Sequence, residues 1–241
     1  AGTPGEVAEP AEPGVSDLGG GSDFAPFSAH LGIPSVNHGF ASPGGVYHSA
    51  YDTWRWMAEH GDPGFSHHAL SSRLVALLAL RLADAEVIPY DVAALARQMA
   101  GQWDLLRSEA REAGLPDAAA AKRLDAAWSA LERAGEGWDA ARRRYLAGEV
   151  DAARSRRANE ALRSALRATV RPQGLTGRPW YRSLLFAPDD RDGYATLALP
   201  SIAEAIRAGD RARLAREIDD LAGRIRLAAG RVEEAEASLE R

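Results

Sequence analysis

The chain has 241 residues, 46% of them apolar and 26% charged, with a formal net charge of −5. That is enough apolar content for one large or two modest folded domains, and too little net charge to imply nucleic acid or an anionic membrane as partner. It contains no cysteine, which excludes disulfides, thiolate metal sites and a cysteine nucleophile.

Residues 1–17 are rich in Gly, Pro, Ala and Glu without periodicity and read as loop. Asp23 is expected to cap a short helix with Pro26 in its first turn and Gly32 at its end. Ile33–Phe40 begins β-like, with Pro34 at a strand start or edge. The 41–45 stretch is a Gly/Pro loop, and Tyr51–Glu59 has helical spacing. Asp62-Pro63 is expected to open a longer helix running to about Ala85. The apolar run Leu74–Leu82 within it is interrupted by Arg81, so it reads as a buried helix and not a membrane span.

Composition changes after Pro89. From Asp91 to about Val170 the chain is rich in Ala, Leu, Arg and Glu at helical spacing. Pro116 and the Gly135–Gly137 region are expected to divide it into at least three helices, with Leu105, Leu106, Leu124, Trp128, Leu131, Trp138, Tyr145, Leu162 and Leu166 facing a core. The arginine-rich runs Arg142–Arg144 and Arg154–Arg157 read as solvated helix faces. Arg171–Arg178 is a linker, Trp180–Pro188 a short aromatic and aliphatic segment, and Ser201–Ala208 a short helix. Asp210 caps a last helix with the stripe Leu214, Ile218, Leu221, Ile225 and Leu227/Ala228.

Two segments have unusual chemistry. Gly19-Gly20-Gly21-Ser22-Asp23-Phe24 is either a plain turn or a loop whose amides approach a ligand closely. In Gly44-Gly45-Val46-Tyr47-His48-Ser49-Ala50-Tyr51-Asp52, a histidine on a glycine loop is free to meet a metal or substrate, and Tyr47 can donate to an oxyanion. On residue chemistry alone, such a lone histidine reads first as an ordinary surface or hydrogen-bonded residue. His67 and His68 are adjacent and cannot form a one-face metal pair on a helix. No HExxH, P-loop or GxSxG motif occurs.

The order of these segments carries a resemblance. The Gly-rich loop into Asp23-Phe24, then His30-Leu31-Gly32-Ile33-Pro34-Ser35, Tyr47-His48-Ser49-Ala50-Tyr51-Asp52 and Gly61-Asp62-Pro63 resemble the C-terminal part of the peptidase domain of the glutamate carboxypeptidase/transferrin-receptor family. Trp180-Tyr181-Arg182, Phe186-Ala187-Pro188, Gly193-Tyr194 and Leu199-Pro200-Ser201-Ile202 resemble that family's helical dimerisation domain. The resemblance implies a mostly α protein: residues 1–89 as the end of an α/β zinc-peptidase domain, residues 90–241 as a helical-bundle dimerisation domain.

It further implies an exopeptidase, carboxypeptidase-like, that uses two zinc ions to activate water against a peptide substrate, and a homodimer built through the bundle. His48 matches a zinc ligand and Tyr47 a catalytic tyrosine that supports the tetrahedral intermediate. Gly21, Ser22, Asp23 and Tyr194 match substrate-binding positions. The other zinc ligands and the general base of the family lie N-terminal to the Gly-rich loop, so these 241 residues alone are expected to be inactive. Gly193 stands where glutamate-preferring members have a lysine, which implies a weaker preference for acidic terminal residues. The alternative is a non-catalytic, receptor-like homologue that only dimerises; an imidazole kept at position 48 argues against it. A secreted, periplasmic or membrane-anchored location is a family expectation. Ile33, Val36, Trp54, Trp56 and Leu74–Leu80 are expected to form an exposed apolar patch in this chain by itself.

Overall fold

The computed structural model describes residues 17, 18, 20–40 and 45–240. The expected loop over residues 1–16, Gly19 and the glycine/proline stretch at 41–44 lie outside these.

The first element among the described residues is a π-helical turn, Pro26–Leu31, closed by Gly32 in the left-handed region at φ 67°. Proline at its start and glycine after its end follow the expected helix punctuation. Asp23, however, does not cap it: no side chain accepts a hydrogen bond from its first turn. Residues 32–40 form no strand. A lone β segment has no intrinsic stability without a pairing partner, and none faces it among the described residues. A short helix, α1 (Trp54–Trp56), continues into a second π-helical turn, Met57–Gly61. Its cap is Thr53, whose hydroxyl accepts the Trp56 amide, and not the neighbouring Asp52.

α2 (Ser66–Ala83) follows. None of its residues is buried, and Leu70, Leu74, Val75, Leu77, Leu80 and Leu82 are each more than two-fifths exposed. Ile33, Val36, Phe40 and Trp54 are exposed as well. The expected apolar patch is therefore present on this part of the chain. Trp56 is the exception, being half-buried.

The rest is a helical bundle: α3 (Val92–Glu112), α4 (Ala118–Leu146), α5 (Ala152–Arg167), α6 (Pro200–Arg207) and α7 (Arg211–Glu240). Four of the five helices start at an aspartate that accepts the amide three residues on: Asp91 from Ala94, Asp117 from Ala120, Asp151 from Arg154 and Asp210 from Arg213. Each side chain satisfies a first-turn donor that would otherwise lack a partner. α4 and α7 pack along each other, α3 joins α4, and α5 and α6 join α7. One core runs from Val87 to Leu239 and includes Met99, Leu124, Trp138, Leu162, Leu221 and Ile225, all essentially inaccessible.

The glycines at 135 and 137 do not break α4. A Cβ at Gly135 would stand 2.5 Å from the Ala93 backbone nitrogen, so glycine there lets the start of α3 cross α4 closely. Packing along the whole helix outweighs a local propensity cost of about 1 kcal/mol. The break falls instead at residues 147–151. Leu105 is exposed, whereas Leu106 is buried: one residue is about 100° of helix, enough to move a side chain off the core. Leu227 is likewise exposed, beside buried Ala228.

Between α5 and α6 the chain forms tight turns and a small antiparallel hairpin, β1 (Phe186–Pro188) with β2 (Thr196–Ala198), pairing Ala187 with Leu197. Charged side chains hold this region to the bundle. Arg178 reaches both Glu204 and the Pro188 carbonyl, Arg213 reaches the other Glu204 oxygen at 3.1 Å, and Arg171 donates to Glu217 at 2.6 Å. Glu204 and Glu217 are both buried.

Candidate functional site

The N-terminal segment is fastened to the hairpin region by its backbone. The Ala29 carbonyl accepts the amides of Arg182 (2.7 Å) and Ser183 (2.9 Å), and His30 Nδ1–H donates to the Trp180 carbonyl at 2.7 Å. Further along, the Gly20 amide donates to the Tyr194 carbonyl at 2.9 Å. A Cβ at Gly21, whose φ is +71°, would sit 2.6 Å from two carbons of the Tyr194 ring. A Cβ at Gly20 would run into the Gly193 carbonyl and Pro188. Only glycine permits this approach at both positions. The fold thus brings Gly21 and Tyr194 together, two residues singled out from distant parts of the sequence. Ser22 and Asp23 follow directly, both exposed.

Tyr47 and His48 lie on a separate turn, residues 45–51. His48 has φ 59°, an uncommon conformation for a residue with a Cβ. Its ring stacks on that of Tyr47, with centroids 3.8 Å apart and planes 23° from parallel. Ser49 closes the turn: its hydroxyl donates to the Val46 carbonyl at 2.7 Å and accepts the Tyr51 amide at 3.2 Å. Both rings are exposed. No hydrogen bond, ion pair or ring contact among the described residues joins this turn to the Gly21–Tyr194 junction.

Zinc held by protein takes three or four donors. Among the described residues no group of three histidine, cysteine, aspartate or glutamate side chains is placed to hold a metal ion. His48 offers one imidazole, so the described residues do not assemble a zinc site by themselves.

Two arrangements escaped sequence reasoning. The first is at the start of α2. Buried Asp62 accepts the amides of His67 (3.2 Å) and His68 (3.0 Å) and also their Nδ1–H groups (3.0 and 2.7 Å). The His68 side-chain bond is the main reason that the Asp62 carboxyl is held far below its ordinary value; burial opposes the shift. The adjacent histidines do not share a helix face, yet both can reach one carboxylate that precedes the helix. The Asp62-Pro63 turn was the available signal. The second is at the neck of the Tyr194 loop. Arg207, the last residue of α6, donates from Nη2 to Asp189 Oδ2 (2.7 Å) and from Nη1 to Asp189 Oδ1 (3.0 Å) and Asp190 Oδ1 (3.1 Å). This pairing holds the Asp189 carboxyl well below its usual range and raises the Arg207 value. No local sequence pattern signals a contact of that kind.

Residues 119–233, which span most of α4 to α7, match the transferrin receptor-like dimerisation domain. The chain is 32% identical over 192 residues to a probable glutamate carboxypeptidase of Arabidopsis thaliana, LAMP1, covering 78% of this chain and 26% of the relative. It is 32% identical over 221 residues to a probable glutamate carboxypeptidase of Arthroderma benhamiae, covering 90% and 30%. With the Zea mays protein VP8, also a probable glutamate carboxypeptidase, identity is 36% over 190 residues, covering 77% and 26%. The chain belongs to the glutamate carboxypeptidase/transferrin-receptor-like family. As in the family's dimerisation domain, the matched part here is helical. The chain spans between a quarter and a third of the length of these relatives. None of its described helices is long and apolar enough to cross a membrane.

Proposed function

We propose that this chain is part of a zinc-dependent exopeptidase of carboxypeptidase type, with residues 1–89 contributing to the peptidase domain and 90–241 forming the dimerisation domain. The observation that carries this reading is the similarity to probable glutamate carboxypeptidases, which extends over up to 90% of the chain and so must include the segment bearing His48. The meeting of Gly21 with Tyr194 supports it, because it puts two proposed substrate-binding segments side by side.

In this reading His48 supplies one ligand of a two-zinc centre whose remaining ligands belong to other parts of the complete enzyme. Bound zinc would supply a polarised, acidified water. Tyr47 donates its hydroxyl proton toward the oxyanion of the tetrahedral intermediate. The Ser22 hydroxyl donates one hydrogen bond to the substrate. Gly21, Asp23 and Tyr194 shape the cleft. Gly193 puts no cation at the position before Tyr194, so the preference for acidic terminal residues is weak. The bundle forms a twofold homodimer.

The test is metal content and peptide hydrolysis by the complete protein and its His48→Ala variant. Loss of bound zinc together with loss of turnover is expected. Unchanged zinc and turnover in the variant would reject the assignment. Comparing glutamyl with neutral peptides checks the specificity, and a strong glutamyl preference contradicts it. Light scattering over a range of concentrations checks the dimer, with a strict monomer as the adverse result.

A further inference from the structure

The loop between β1 and β2 is closed on itself. The Asp189 amide donates to the Ala195 carbonyl (2.9 Å), the Ala195 amide to the Asp192 carbonyl (3.0 Å), and the Tyr194 amide to Asp192 Oδ1 (3.1 Å). Among the described residues it has two attachments to its surroundings beyond the hairpin strands. On one side its tip meets the N-terminal segment, through the Gly20–Tyr194 hydrogen bond and the Gly21 contact with the Tyr194 ring. On the other side its neck is gripped from the bundle. Arg178 donates to the Pro188 carbonyl at 2.7 Å, and Arg207 takes both Asp189 oxygens and one of Asp190. Asp189 is 13% exposed and Arg207 29% exposed, so the pair is shielded but not sealed.

The tip contact is intolerant of displacement. It is made by backbone and ring atoms, with no flexible side chain at Gly20 or Gly21 to take up a shift. A forked guanidinium–carboxylate pair fixes distance and plane together, which a single charge does not. We infer that Arg207 is a positioning residue: its fork on Asp189 and Asp190 ties the end of α6 to the Tyr194 loop and sets Tyr194 against Gly20 and Gly21. The bundle then does more than bring chains together. It also holds one wall of the proposed substrate cleft, a consequence that rests on the function proposed above.

Hydrogen exchange read at the Gly20 amide tests the clamp on this chain directly. Exchange there is expected to accelerate about tenfold in Arg207→Ala and in Asp189→Asn, while amides inside α4 and α7 keep their protection. Arg207→Lys, which retains a charge but not the fork, is expected to restore part of the protection. Unchanged exchange at Gly20, or parallel acceleration throughout the bundle, overturns the inference. In the complete peptidase, Arg207→Ala is expected to raise KM about tenfold with a smaller change in kcat. If Gly20 exchange responds and KM does not, the clamp stands and the substrate role of Tyr194 falls.

Discussion

Gly135, in the middle of α4, lies against the backbone of Ala93 at the start of α3, closer than any side chain would allow. Val92 and Ala96, on either side of Ala93 in α3, are both buried. Gly137 differs: the atoms nearest to a Cβ there are those of the Glu236 carboxylate, at 2.7 Å and beyond.

Gly135→Ala is therefore expected to destabilise the bundle by about 1–3 kcal/mol, as overpacking against backbone does. Gly137→Ala is expected to be neutral or to stabilise by up to about 1 kcal/mol, since alanine is the better helix former and Glu236 can swing away. Urea denaturation of both variants checks the opposite signs. The same direction for both would contradict the reading of α4.

Leu124 is fully buried and Leu105 is 61% exposed. Truncating Leu124 to alanine should cost about 2–5 kcal/mol through lost burial and a residual cavity. Leu105→Ala should stay within about 0.5 kcal/mol. Equal effects in denaturant would place the core on the wrong face of α3.

Asp62 gives a signed pH dependence. Its carboxyl is depressed in the folded chain relative to the ordinary 3.8. A depressed acid contributes stability in full above its unfolded value and loses it as pH falls toward the folded one. The first turn of α2 should thus hold at neutral pH and begin to loosen only below the ordinary value. Exchange protection at the His67 and His68 amides, followed on acidification, reads this out. Asp62→Ala should remove that protection at neutral pH, and protected amides in the variant would count against the cap.

The apolar surface of α2 is large enough to have consequences in solution. Leu74, Leu77 and Leu80 are exposed on a helix without buried residues. This chain should bind a hydrophobic dye and self-associate at raised concentration. Replacing those three leucines with lysine should reduce both. A dye-silent, monodisperse parent chain would contradict the exposed arrangement of α2.

The helices were legible to the extent that their signals are local. Ala- and Leu-rich spacing, Pro116 between α3 and α4, and Asp210 before α7 each act within one or two turns. The same local reasoning failed where a distant part of the chain decides. It put a break at Gly135–Gly137 because it could not know that α3 crosses there. It read Ile33–Phe40 as strand because β pattern describes a surface to be paired, not a partner to pair with. It chose Asp23 as a cap, where the helix begins later and no side chain caps it.

For the candidate site the division is similar. Sequence by itself determined the helical class, the family resemblance and the residue types at His48, Tyr47, Gly21 and Tyr194, since each of these is a property of a short segment. Tertiary structure alone decided that Gly21 and Tyr194 meet and that Arg207 grips Asp189. Hydrogen bonds and ion pairs act over about 3 Å, so groups far apart along the chain interact only after the packing of the bundle has placed them.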